Sequence, residues 1–342
     1  MSKTESLELK GWGILMMLWL HLFSQQDVVE QNCFYYLNFF NGRPLCNALT
    51  RLCACCVPLF VFLGGYGLAK VYTSKGVGSP LRRSIALMAE LWIVCVAFVA
   101  VTATLFPANT LGGPGVFAAN MLGIHCTYNG TWWFMLPYAL VTAISPWLVQ
   151  LFWRSGRKAV AGMLAGCFVL KLLEHLSADA FADSPFLAAN LLVVFLYAAG
   201  MLLMFAIGVL FVRWQVFEAS GQWFSGVRHR SWLFSALLLL LCTIKMFMGC
   251  DGLLNLPFVI AFVLVVHNIR FPSFAAHALA FFGKYSSMMW LVHAFFLSWL
   301  LSLDLYSLHY PLFLFAALVA ISLSASFVLT PVYRPLRCRI MT

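Results

Sequence analysis

Along the chain, apolar runs of about 18 to 25 residues alternate with shorter stretches in which charge, glycine and proline collect. Each run is long enough to cross a ~30 Å hydrocarbon layer as a helix, and none shows the ~10-residue alternation of a barrel strand. The pattern predicts ten helices, over residues 8–26, 47–71, 83–105, 131–152, 158–176, 187–212, 230–248, 251–267, 284–303 and 310–333. The fold class is therefore all-α, a polytopic transmembrane bundle. With no internal repeat and no polar segment long enough to fold alone, residues 1–342 are expected to form a single membrane domain.

Composition supports the pattern. Hydrophobic residues make up 63% of the chain and charged residues only 9%, against about a quarter in soluble domains. The formal charge of +10 would suit nucleic acid if it formed a patch, but the basic residues are dispersed along the chain and recur at the ends of apolar runs. With the N-terminus inside, seventeen of them fall in inner segments and only Arg43 in an outer loop. That bias places both termini in the cytoplasm and argues against a nucleic-acid partner. The first run lacks a small-residue cleavage site, so it is expected to remain as the first span.

The eleven cysteines form no metal signature: Cys53, Cys55 and Cys56 lie in an apolar run, where thiols act as small hydrophobes. Cys33, Cys46 and Cys126 fall outside, where one disulfide is chemically allowed. The long outer loops, 27–46 and 106–130, are candidate binding surfaces or plain slack.

Candidate chemistry begins in the first run, where Lys10 and His21 stand eleven residues apart. On a helix that spacing returns nearly to one face over about 16 Å of rise. An ionisable group near mid-bilayer costs about 2.5 kcal/mol or more, so a deep imidazole calls for a reason; a bond to a neighbouring helix is the plain alternative. His293, nine residues after Lys284, reaches a similar depth in the ninth run, and Ser286 shares its face. Arg82 and Arg83 open the third run as inner anchors, and Glu90 lies on the Arg83 face. Lys171, Glu174 and His175 have the spacing of a local ion pair.

Four stretches carry a family resemblance. They are the Lys10 to His21 spacing, Val57-Pro-Leu-Phe-Val-Phe-Leu-Gly-Gly-Tyr-Gly67, Trp133-Phe-Met-Leu-Pro-Tyr138 with Ser145-Pro146-Trp147, and Phe282-Gly-Lys-Tyr-Ser286 with Trp290-Leu-Val-His293. In this order they resemble the integral-membrane acyltransferase-3 family, which O-acylates glycans of bacterial envelopes. There are departures: Lys10 stands where arginine is commoner, Gly64 where serine is usual, and Ala86 and Leu87 where a further arginine often follows. No stretch resembling the soluble hydrolase-like domain of some members follows the last run.

The resemblance implies a bacterial inner-membrane enzyme that takes an acyl group, acetyl or longer, from cytoplasmic acyl-CoA to a glycan or lipid-linked sugar. Lys10, Arg82 and Arg83 would hold the donor's phosphates, and His21 would be the general base. His293 or Ser286 would stabilise the oxyanion or position the acceptor, with no metal involved. A pantetheine arm is about as long as the rise from Lys10 to His21. The competing expectation is a proton-coupled transporter or flippase with His21, Glu90 and His293 as a relay; a non-catalytic scaffold would leave the histidines unexplained.

Overall fold

The computed structural model describes residues 1–33, 35–105, 111–181, 186–249, 252–298 and 305–342. Among these residues every regular element is helical, apart from an isolated bridge between Asn38 and Pro44. In chain order the helices are α1 (Lys3–Phe23), α2 (Gln26–Asn32), α3 (Leu45–Cys53), α4 (Cys56–Lys75), α5 (Pro80–Leu105), α6 (Pro114–Leu122) and α7 (Met135–Arg154). They continue as α8 (Arg157–Phe181), α9 (Leu187–Arg213), α10 (Val216–Trp223), α11 (Arg230–Met248), α12 (Asn255–His267), α13 (Ser273–Ser298) and α14 (Pro311–Met341).

Seven stretches among the described residues are long and apolar enough to span a bilayer. The other three predicted spans correspond to α1, which carries Lys3, Glu5, Glu8 and Lys10, to the 13-residue α12, and to α13. Large apolar side chains stand open on the helix surfaces, Leu176 of α8 and Leu239 of α11 both at 71% exposure. Such surface is stable against lipid and not against water, which makes this a membrane protein.

Boundaries moved where local chemistry outweighs hydropathy. Ser2 accepts from the Glu5 backbone while its own N–H meets the Glu5 carboxylate, a capping box that starts α1 at Lys3 instead of 8. The 47–71 run breaks at Ala54 and Cys55 into α3 and α4. Helix α13 begins at Ser273, so Lys284 lies well inside it and not at its start. Helix α14 continues past Pro331 and Pro335 to Met341. Short helices α2, α6 and α10 occupy expected connections. The calls on Phe34, 106–110, 251 and 299–303 lie outside the described residues.

The chain divides into two compact units: Met1–Leu63 with Phe211–Ser324, and Gly64–Leu210 with Ala325–Thr342. In the first, α1 packs most extensively on α13, and α3 touches both α1 and α11. A Cβ on Gly11 would lie 2.1 Å from the carbonyl oxygen of Leu279, and one on Gly283 would lie 1.9 Å from that of Leu7 and 3.1 Å from the Gly11 nitrogen. The two helices therefore cross backbone to backbone at this glycine pair, the small-residue contact that replaces hydrophobic driving force within lipid, and the meeting of His21 with His293 further along shows that they run parallel.

The ends of the first-unit helices are closed by side chains. Asn47 Nδ2 donates to the carbonyls of Phe23 (2.6 Å) and Ser24 (3.1 Å), and the Tyr306 hydroxyl donates to that of Leu22 (2.8 Å), so the last turn of α1 is satisfied. Arg51 donates to Met246 (2.9 Å) and the fully buried Lys245 to Gly249 (2.7 Å). These two cations serve the negative end of α11.

In the second unit α5 packs on α7, with Ser84 Oγ donating to the Ala139 carbonyl at 2.8 Å. Gly65 of α4 lets the Phe205 carbonyl of α9 approach to 2.1 Å from where a Cβ would be. The expected ion pair between Lys171 and Glu174 forms on α8, and Gly200 of α9 leaves room for the Glu174 carboxylate.

Candidate functional site

His21 and His293 each stand ten residues beyond their helix's crossing glycine, Gly11 and Gly283. Parallel helices in register then bring both imidazoles to one level, about 15 Å of rise from the crossing. The rings meet, with centroids 4.9 Å apart and planes at 46°. The sequence placed both at similar depth; the structure puts them in contact.

Their surroundings differ. His293 is completely buried, and its Nδ1 lies 2.6 Å from the Trp290 carbonyl. A carbonyl can only accept, so Nδ1 carries the proton and Nε2 holds a lone pair. That Nε2 is buried and has no hydrogen-bond partner among the described residues. His21 makes no hydrogen bond to a described residue and retains an exposed edge. One imidazole is locked in a single tautomer, and the other is free to reach a ligand.

Ser286 is buried, and its hydroxyl donates to the Gly283 carbonyl at 3.0 Å. It shares the His293 face but stands two turns away, about 10.5 Å of rise towards the glycine crossing. Lys10 adjoins Gly11 at that crossing and is half-buried. Lys284 is exposed, with its ammonium 5.1 Å from the Tyr285 ring centre.

Arg82 and Arg83 belong to the second unit. Arg82 is exposed, and its backbone N–H meets Ser79 Oγ at 3.2 Å. The Arg83 guanidinium lies over the Tyr72 ring, 4.9 Å from its centre, and its buried Nη1 has no hydrogen-bond partner among the described residues. The Tyr72 hydroxyl is 2.6 Å from Ser145 Oγ, whose own hydrogen goes to the Thr142 carbonyl, so Tyr72 is the donor. A desolvated guanidinium with an open donor suits an anion.

Sequence reasoning passed over Tyr72 and named Tyr138 only within a family stretch, with no role. Tyr72 gave no pattern signal, since its partner Ser145 lies in another apolar run. For Tyr138 there was a signal, the glycine at position 64. A Cβ there would lie 2.3 Å from the Tyr138 hydroxyl, so a serine fits only if Tyr138 moves.

Apolar helices of bilayer-spanning length, with two imidazoles touching inside them and cations nearer the helix starts, define a membrane protein equipped to move protons or transfer groups within the bilayer. The chain belongs to the acyltransferase-3 family: the family model described as an acyltransferase domain matches residues 6–330. It is an acyltransferase, and the match takes in Lys10, His21, Arg82, Arg83, Ser286 and His293. No curated protein and no solved structure matches the chain.

Proposed function

We propose that the protein is an O-acyltransferase, most simply an O-acetyltransferase, of the bacterial cytoplasmic membrane. It moves the acyl group of cytoplasmic acyl-CoA to a hydroxyl of a cell-surface or lipid-linked glycan. The observation that carries this reading is the contact of His21 with a buried His293 whose Nε2 is an unoccupied acceptor.

His21 takes the proton of the acceptor hydroxyl as its oxygen attacks the thioester carbonyl. The carbon–sulfur bond then breaks, and the CoA thiolate leaves with the proton that His21 held. Direct transfer needs no nucleophile on the protein. His293 Nε2, a lone pair in this tautomer, is suited to accept a hydrogen bond and so to position the acceptor hydroxyl. Ser286, two turns away, lies on the donor side of the pair. Lys10 in the first unit, and Arg82 and Arg83 in the second, are the cationic anchors assigned to the donor's phosphates.

The test is acetyl-CoA turnover by the purified protein with an envelope-glycan fraction, comparing wild type, His21→Ala and Lys10→Ala. Transfer should fall about 10²–10⁴-fold in the first while donor binding remains, and donor binding should weaken in the second. If wild type consumes no acyl-CoA while solute flux in vesicles depends on His21, the acyl-CoA reading is overturned in favour of a transporter.

A further inference from the structure

At the end of the first unit where α1 begins, the α10–α11 loop and the α12–α13 connection enclose a cavity of about 460 Å³. Arg230, Arg270, His229, His267, Asn268 and Ser231 line it, and no carboxylate does. The volume is that of a small-molecule site. Its polarity points to an anion, since every ionisable group on the wall is cationic or an imidazole.

The wall is built, not incidental. Arg230 is held from two sides, Nη1 donating to the Gly221 carbonyl at 3.1 Å and Nη2 to Asn268 Oδ1. Asn268 is buried and tied in turn to Ser220 Oγ (2.8 Å) and the Leu264 carbonyl (2.7 Å). The Arg230 Nε is removed from solvent yet has no partner among the described residues. Arg270 is exposed, with its backbone N–H anchored by Ser231 Oγ at 3.0 Å, which leaves its guanidinium available. The cavity also opens onto the first turn of the 19-residue α11, whose N-cap His229 makes no side-chain cap. The helix dipole adds positive potential there.

The cavity is joined to the first turn of α1. His267, on its wall, meets Glu5 of α1 at 3.0 Å. Glu5 precedes Lys10 by about 7.5 Å of rise and His21 by about 24 Å. A pantetheine arm spans only Lys10 to His21, so whatever follows it in the donor lies beyond Lys10 at the level of Glu5, and reaches this wall by turning about 140° round the start of α1.

We infer that the cavity between the α10–α11 loop and the α12–α13 connection binds the phosphorylated nucleotide end of the acyl-CoA donor through Arg230 and Arg270. The inference rests on the proposed donor for its ligand, but its chemistry, a phosphate-bearing nucleotide, is tested without transfer. Adenosine 3′,5′-bisphosphate is titrated against the full chain in nanodiscs of neutral lipid. Wild type should bind it, Arg270→Gln should weaken binding about tenfold, and Arg230→Lys should retain part of what Arg230→Gln loses. Arg339→Gln, on the exposed end of α14, should bind as wild type does.

A second readout separates this idea from the transfer reading. Arg270→Gln should raise KM for acyl-CoA while leaving KM for an S-acyl pantetheine, which has no nucleotide, unchanged. If no acyl-CoA is turned over, the transfer proposal falls, and bisphosphate affinity still decides the subsite. Equal affinity in wild type and both arginine variants overturns the subsite. Failure of wild type to bind bisphosphate, with phosphatidylglycerol protecting it through the same arginines, overturns the nucleotide and assigns the cavity to a lipid headgroup.

Discussion

The imidazoles of His21 and His293 touch across two parallel helices, each ring ten residues past a glycine at the helix crossing. Among the described residues only His293 is tied, through Nδ1 to the Trp290 carbonyl. The pair thus combines a fixed acceptor with a ring free to exchange a proton. His21→Ala should lower acyl transfer by about 10²–10⁴-fold, the range for loss of a general base. His293→Ala should act mainly on acceptor use, raising KM for the glycan while donor binding persists. Steady-state rates with each substrate varied in turn check both.

The glycine crossing sets the distance between the histidines. In Gly11→Ala the new methyl would sit 2.1 Å from the Leu279 carbonyl oxygen, a backbone atom that cannot rotate away. Separating α1 from α13 should cost about 1–3 kcal/mol and lower Tm, with transfer falling in step. Gly67→Ala, which meets nothing within 4 Å, should keep wild-type stability or gain slightly. Thermal unfolding in detergent compares the two; equal Tm values would show that the crossing is loose.

Tyr72 offers a split between hydroxyl and ring. Tyr72→Phe deletes the bond to Ser145 but keeps the ring beneath Arg83. It should cost about 1 kcal/mol of stability and leave the donor KM alone. Tyr72→Leu also removes the aromatic face, worth about 0.5–2 kcal/mol to a guanidinium, and should raise that KM. A rise in KM with phenylalanine would shift the role to the hydroxyl.

The start of α1 carries an acid-sensitive tie. Glu5, which precedes the first predicted span, has its carboxyl lowered from 4.5 to about 2, chiefly by its hydrogen bond to His267. Both His267 nitrogens face acceptors, Glu5 and the Phe217 carbonyl. A carboxylate with a depressed folded-state pKa stabilises the fold fully above its unfolded value. The contribution of this pair is therefore lost as pH falls from about 4.5 to about 2. The stability difference between wild type and Glu5→Gln should shrink as pH falls through that window. Unfolding midpoints followed down to pH 2 check this, and added salt should reduce the difference because Glu5 is partly exposed.

Several features were legible in the sequence for identifiable reasons. The ion pair of Lys171 with Glu174 was readable because three residues on a helix are neighbours whatever else surrounds them. The α1 capping box was equally local, with Ser2 and Glu5 in plain view, but a reading led by hydropathy passed over it. The early start of α13 was hidden because residues 273–283 sit on an apolar run without a break or charge until Lys284. Arg51 and Lys245 are charges within apolar runs, and their acceptors, the carbonyls at the end of α11, are identified only in the folded chain.

The sequence by itself determined the membrane class, the helical stock, and the level of each histidine along its own helix. These follow from hydropathy and the 3.6-residue period, which neighbouring residues carry. Only the tertiary structure decided that α1 lies on α13, that Gly11 meets Gly283, and that the two rings therefore touch. The partners are 272 residues apart, and their match is one of shape between two small-residue surfaces. Shape matching across such a separation leaves no periodic trace along the chain, so the histidine pair becomes visible only when the helices are packed.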